Sequence, residues 1–114
     1  MIFALALLPL LAAGAPQAAA PADQTRLDAC IAQVDADAAQ AYETAMAWAQ
    51  QEHAREARWC AAQALVKLGR LEEAARRFDS LAGDQGWSED NRLDAYSQAG
   101  NTWLLVHDGA KAKA

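Results

Sequence analysis

Residues 59–82 read WCAAQALVKLGRLEEAARRFDSLA, and this stretch decides the fold of the chain. Apolar residues recur at spacings of three and four on both sides of Gly69, at Ala61, Ala62, Leu65 and Leu68 before it and at Leu71, Ala74, Ala75, Phe78, Leu81 and Ala82 after it. This spacing is typical of amphipathic helices, and a glycine after such a run ends a helix well. The stretch therefore predicts two helices joined by a tight turn, and short connections make neighbouring helices antiparallel.

The same pattern extends in both directions. Towards the N-terminus, Asp23 predicts the cap of a first helix, and Asp35 and Asp37 predict its end and the cap of a second. Towards the C-terminus, Ser88 predicts the start of a fifth helix, which we expect to end at residues 107–109 before the first turn of a sixth. We expect the fifth helix to bury Leu93, Tyr96, Gly100, Trp103 and Leu104. The predicted fold is all-α, with helix pairs at about 23–51, 54–82 and 88–114, the last pair being incomplete.

Charge excludes one class of partner. The net charge is −5, and residues 1–22 carry no charged side chain, so the acidity belongs to the remainder of the chain. Nucleic-acid binding needs clustered positive charge, whereas the basic residues here alternate with acids, which is typical of solvated helix faces. We therefore expect no nucleic-acid partner.

The N-terminal segment 1–22 has the character of a secretory signal peptide. Residues 1–13, MIFALALLPLLAA, form a short apolar run, and small residues suited to cleavage follow, so we expect cleavage after Ala20 or Ala22. An uncleaved anchor is the alternative, but a membrane span needs about 20 apolar residues and Pro9 interrupts this run. The prediction is a periplasmic or secreted bacterial protein with no stable membrane insertion after cleavage.

Cys30 and Cys60 are the two cysteines of the chain. In an oxidising compartment an even number predicts a disulfide, and this one closes a loop of about 30 residues that contributes roughly 3 kcal/mol. The alternative is two buried thiols in helix interfaces. A zinc site needs four ligands, and His53 and His107 add only two without metal spacing, so we expect neither a metal nor a cofactor.

Residues 59–82 resemble a tetratricopeptide repeat. The resemblance rests on Ala62 at the helix–helix contact, Leu68-Gly69 at the turn, and Ala74, Phe78 and Leu81 in the second helix. Residues 96–112, YSQAGNTWLLVHDGAKA, repeat part of the pattern with Gly100, Trp103 and Ala112, and Gly100 follows Ala62 by 38 residues, against 34 in the family. The first pair matches only in its second helix, at Ala38, Tyr42 and Ala45. The resemblance implies a short solenoid of stacked helix pairs, and the apolar N-terminal segment adds a signal-peptide helix before it.

In this family the first helices of successive repeats line a groove that binds peptides or helices of partner proteins. The resemblance implies that the groove positions of this chain are Glu56, Trp59, Gln63, Val66, Lys67, Asp94, Ser97, Asn101, Leu104 and Leu105. The alternative for Trp59 is that it only packs against the preceding helix.

No serine lies at helical spacing from a histidine, and no glycine loop is suited to phosphate, so catalysis is not expected.

The predicted function is a protein–protein interaction module of the cell envelope that binds an unidentified protein or peptide through these first helices. The alternative is a structural or self-associating fragment of a longer solenoid with no separate ligand.

Overall fold

The computed structural model describes residues 19–113 and confirms the all-helical prediction, since these residues form five helices and no strand. The helices are α1 (Ala19–Ala36), α2 (Ala38–Glu52), α3 (Arg55–Lys67), α4 (Leu71–Ala82) and α5 (Glu89–Lys113).

The predicted caps account for three helix boundaries. The Asp37 side chain accepts a hydrogen bond from the Gln40 backbone N–H at 3.1 Å and caps α2, and the Ser88 hydroxyl accepts one from the Asn91 N–H at 3.2 Å at the start of α5. Gly69 has a φ of 81°, the left-handed backbone for which glycine has no steric penalty. The N–H groups of residues 69 and 70 then bond the carbonyls of residues 66 and 65, so the turn satisfies the last carbonyls of α3.

Consecutive helices run antiparallel. Arg26 in the first half of α1 pairs with Glu52 at the end of α2 at 3.0 Å. In the same way, Arg58 near the start of α3 donates to the Ser80 hydroxyl near the end of α4 at 2.9 Å. Helix α3 is the most enclosed of the five, because α1, α2 and α4 all pack against it.

Small side chains make up most of the core, which brings the helices close together. One cluster joins α1, α2 and α3 through Cys30, Val34, Ala41, Ala45, Cys60, Ala61 and Ala64. A second joins α3, α4 and α5 through Ala62, Leu65, Ala74, Phe78 and Ala99. Trp48, Phe78 and Leu65 are the largest fully buried side chains. The core depends on close helix contacts because few large apolar residues are available to fill gaps.

The predicted disulfide is confirmed. The Sγ atoms of Cys30 in α1 and Cys60 in α3 are 2.00 Å apart, and the Cα–Cα distance is 6.3 Å. The bond fastens α1 to the central helix α3. The alternative of two buried free thiols is therefore wrong.

Two predicted helix boundaries are wrong. Helix α1 begins at Ala19, before Asp23, and includes Pro21 in its first turn, where the missing N–H of proline costs no hydrogen bond. Helix α5 continues to Lys113 through Gly109, so residues 107–109 do not stop it and no sixth helix starts within the described residues. A single glycine inside a helix costs only about 1 kcal/mol.

The proposed signal segment lies mostly outside the described residues, which begin at residue 19. The expected cleavage positions, Ala20 and Ala22, fall in the first turn of α1. Across residues 19–113, no helix is both long enough and apolar enough to cross a bilayer.

The buried face of α5 also differs from the prediction. Ala95, Ala99 and Thr102 are buried, while Leu93, Tyr96 and Leu104 are 56%, 55% and 61% exposed; Gly100 is exposed as well, and Trp103 is half-buried. The helix turns its small residues towards α4 because a close approach leaves no room for larger ones. The Arg92 Nε donates to the Ala82 carbonyl at 3.1 Å and holds the start of α5 in this orientation.

Candidate partner-binding site

A cleft forms where α1, α3, the α4–α5 loop and the start of α5 meet. Its volume is about 170 Å³, and we name it the Trp59 cleft; it is lined by Leu27, Trp59, Trp87, Asn91 and Asp94. Four of these residues come from three different helices and Trp87 comes from the loop, so the cleft exists only in the folded chain.

Trp59 is held in place by two aromatic neighbours. Its ring centroid lies 5.3 Å from that of Phe78 in α4 and 6.2 Å from that of Trp87, both in edge-to-face geometry. Such arrangements are favourable beyond the area they bury. Trp59 and Trp87 are each half-buried, so part of each indole remains available to a ligand while the rest fixes its position.

The loop that carries Trp87 is anchored by Asp84. The Asp84 carboxylate accepts hydrogen bonds from Arg55 Nε at 2.8 Å, from Arg58 Nη1 at 3.4 Å and from the Gly86 N–H at 3.0 Å. The Trp87 N–H donates to the Asp84 carbonyl at 3.0 Å. Helix α3 thus positions the loop through two arginines.

These contacts also change the titration of the two charged partners. The hydrogen bond from Arg55, followed by that from the Gly86 N–H, lowers the pKa of Asp84 below its usual value. The hydrogen bond to Asp84 raises the pKa of Arg55. A methyl group at Gly86 would collide with the Arg55 guanidinium, so this glycine permits the close approach.

The chemistry of the Trp59 cleft suits a side chain with an apolar stem and a positive end. Indole faces attract both hydrocarbon and cations, and Asp94 is the one charged residue among those that line the cleft. Asp94 forms no ion pair with any residue that the structure describes. Pockets for drug-sized ligands usually measure about 300–1,000 Å³, and this cleft is smaller. Its dimensions therefore favour one side chain of a partner over a separate small molecule.

The structure brings together only two of the predicted groove residues, Trp59 and Asp94, in the Trp59 cleft. Val66 packs against the cluster around Phe78. Of the other predicted positions, Glu56 and Gln63 are half-buried, and Lys67, Ser97, Asn101 and Leu104 are exposed and do not line the cleft.

Leu105 lies elsewhere, in a shallow depression of about 480 Å³ between the start of α4 and the C-terminal part of α5. This depression is lined by Gly69, Arg70, Leu71, Glu72, Glu73, Leu105, Val106 and Gly109. The arginine of this depression, Arg70, already forms an ion pair with Glu73, with a nitrogen–oxygen distance of 2.5 Å. A paired arginine is less available to a ligand than an unpaired acid, so the Trp59 cleft is the stronger candidate.

Sequence reasoning missed Leu27, Trp87 and Asn91 as cleft residues. Leu27 has the spacing of a core residue, and Trp87 lies in a loop without periodicity. Asn91 follows the Ser88 cap by three residues, so its placement was predictable, but nothing in the sequence indicated its neighbours.

The two histidines lie apart from this cleft, and both are exposed. His53 ends α2 in a left-handed conformation with a φ of 55°, and its N–H donates to the Ala49 carbonyl. Among the residues that the structure describes, no three acidic, histidine or cysteine side chains are grouped to hold a metal ion.

Comparisons with protein-family models, with curated proteins and with solved structures found no match to this chain.

Proposed function

We propose that this chain is a protein–protein interaction module of the cell envelope that binds a segment of a partner protein through its first helices, α3 and α5. The observation that carries the proposal is the Trp59 cleft, in which two partly exposed indoles lie beside Asp94, whose carboxylate forms no ion pair with any side chain that the structure describes. Tryptophan is enriched at the positions that dominate binding energy in protein interfaces.

The proposed ligand is an extended or helical peptide that inserts a lysine or arginine side chain. Its aliphatic stem would lie between Trp59 and Trp87, and its charge would meet Asp94. The partner is thus expected to be basic where it enters the cleft, which agrees with the net charge of −5 on this chain.

The tetratricopeptide-like arrangement is part of the same proposal. Three features support it: the antiparallel helix pairs, the left-handed Gly69 turn, and the contact of Ala62 with α4. The envelope location rests on the apolar leader in the sequence and on the disulfide, which persists in oxidising compartments.

A display library of random peptides selected on the oxidised protein tests the proposal. We expect selected peptides to share a lysine or arginine beside aliphatic residues. Trp59→Ala should weaken their binding by on the order of 30-fold or more, because truncation of a central interface tryptophan costs about 2 kcal/mol or more. Asp94→Asn should weaken binding about fivefold.

Matched variants separate binding from folding. Trp59→Phe keeps an aromatic ring beside Phe78 and should retain much of the binding, and Asp35→Asn removes an equal charge from an exposed position of α1. Selected peptides that bind Trp59→Ala, Asp94→Asn and the unchanged protein equally well would refute the assignment of the cleft.

The second candidate function is structural, as a self-associating unit or a part of a longer solenoid. The exposed Leu93, Tyr96 and Leu104 favour it. Sedimentation of the oxidised protein over a dilution series distinguishes this function, because self-association makes the apparent mass fall on dilution, whereas a separate binding module stays monomeric.

A further inference from the structure

Helices α3 and α5 have equivalent buried rows. Ala61 and Ala64 of α3 pack against α1 and α2, and Ala57 continues their row at helical spacing. The residues 38 positions later are Ala95, Ala99 and Thr102. All six are buried. The two helices therefore present the same register of small residues to the helices that precede them.

The second faces of the two helices differ in what covers them. In α3, Ala62 and Leu65 are fully buried against Ala74 and Phe78 of α4. In α5, the residue equivalent to Ala62 is Gly100, which is exposed, and a Cβ built on it meets no atom within 4 Å. We call Leu93, Tyr96, Gly100 and Leu104 the open face of α5; its three large residues are each more than half exposed.

The open face has the shape of a helix-packing surface. Its residues follow one another at spacings of three, four and four, so they form one stripe along α5. At a rise of ~1.5 Å per residue the stripe is about 16 Å long, close to the length of the twelve-residue α4 that covers α3. Gly100 lies at its centre, where the absence of a side chain permits a close approach. Glycine disfavours helix relative to alanine, and no contact among the described residues requires it here.

The acidic residues beside the open face indicate what kind of helix would pack on it. By helical spacing, Asp90, Asp94 and Asp108 lie along one border of the open face. All three are exposed, and Asp90 and Asp94 form no ion pair with any side chain that the structure describes. A second copy of this chain would bring the same acidic border, whereas a basic helix would neutralise it.

We propose that the open face of α5 binds an amphipathic helix of a partner protein, whose apolar stripe packs across Gly100 and whose basic residues face Asp90, Asp94 and Asp108. The covering helix takes the position relative to α5 that α4 takes relative to α3. This surface adjoins the Trp59 cleft at Asp94, but none of the four residues of the open face lines the cleft, so the proposal stands whether or not the cleft binds a peptide.

A stapled helical peptide serves as the probe. It carries the sequence of residues 71–82 with Glu72→Lys, Glu73→Lys and Asp79→Lys, and the unsubstituted peptide is the comparison. Titration into the ¹⁵N-labelled, oxidised protein should give saturable amide shifts centred on residues 93–104. The lysine peptide should bind at least tenfold more tightly than the acidic one, and the difference should shrink in high salt.

A pair of glycine variants provides the control. Gly100→Ala should raise the melting temperature, since alanine favours helix, and should still weaken peptide binding at least tenfold, because the methyl group blocks the close approach. Gly109→Ala lies about half a turn away around α5 after nine residues and has equally open surroundings. It should raise the melting temperature in the same way and leave peptide binding unchanged.

Three results would overturn the proposal. The first is the absence of saturable binding by either peptide. The second is a set of amide shifts centred on Trp59 and Trp87, together with equally tight peptide binding by Gly100→Ala and Gly109→Ala. The third is concentration-dependent association of the protein alone that is abolished by Leu104→Lys, which would assign the open face to a second copy of this chain.

Discussion

Helices α3 and α5 share one buried row of small residues, 38 positions apart, but their second faces differ: Ala62 of α3 is buried against α4, whereas its equivalent in α5, Gly100, is exposed. Helices α1 and α2 pack against one face of α3, and α4 packs against the other. Helix α5 rests on α4 with its small residues and leaves Leu93, Tyr96 and Leu104 to solvent. The comparison shows that an apolar stripe does not by itself identify the buried face of a helix; the neighbour that is present decides it.

The largest difference between α3 and α5 is expected from truncating a large side chain at the second face of each, namely Phe78, which covers α3 from α4, and Leu104, which lies on α5. Phe78→Ala removes the fully buried ring that packs against α3, and we expect it to lower the free energy of unfolding by about 3–5 kcal/mol. Leu104→Ala on the open face of α5 should change it by no more than about 0.5 kcal/mol. Urea denaturation followed by circular dichroism measures both. Similar losses for the two variants would mean that α5 is enclosed as α3 is.

The next largest effect concerns the face of α3 that packs against α1 and α2. The disulfide fastens this face to α1. Replacing both cysteines, Cys30→Ala with Cys60→Ala, should cost about 3–4 kcal/mol, because the bond restricts a loop of about 30 residues in the unfolded chain. Reduction of the unchanged protein should give a similar loss in urea denaturation, and the double variant should not respond to reductant. Equal unfolding midpoints for oxidised and reduced protein would contradict this role.

The smallest effect is expected in the loop that connects α4 to α5 and carries Asp84. The lowered pKa of Asp84 means that its ion pair with Arg55 stabilises the fold above the usual carboxyl pKa of 3.8 and loses this contribution as the pH falls through the lower folded-state pKa. We expect Asp84→Asn to lower the melting temperature at pH 7. The melting temperatures of the variant and of the unchanged protein should converge as the pH falls below 3.8. A gap of constant size across that range would show that the carboxylate charge plays no part.

The sequence predicted three of the helix boundaries and the disulfide, but not the start of α1 or the end of α5. Asp37, Gly69 and Ser88 act within one helical turn, and the two cysteines needed only proximity and an even number. The buried face of α5 was predicted wrongly, because ranking by hydrophobicity favours Leu93 and Tyr96 over Ala95 and Thr102. Close helix packing selects the small residues instead.

The candidate site was predictable only in part, for a related reason. Trp59 and Asp94 were predicted because the tetratricopeptide resemblance assigns both to groove positions. Trp87 enters the cleft because Asp84 is held by two arginines of α3, 26 and 29 residues earlier. Such a contact depends on the packed arrangement of α3 and α4, which no local pattern encodes.

The most direct test of the comparison is one substitution made at the two equivalent positions. Ala62→Leu forces a large side chain into the closed contact between α3 and α4, and we expect a loss of about 1–3 kcal/mol or more in the free energy of unfolding. Gly100→Leu places the same side chain on the open face, where its Cβ meets no atom within 4 Å, and we expect a gain of up to about 1 kcal/mol from the improved helix propensity. Urea denaturation of the two variants should therefore give shifts of opposite sign, and destabilisation of similar size at both positions would contradict the open face of α5.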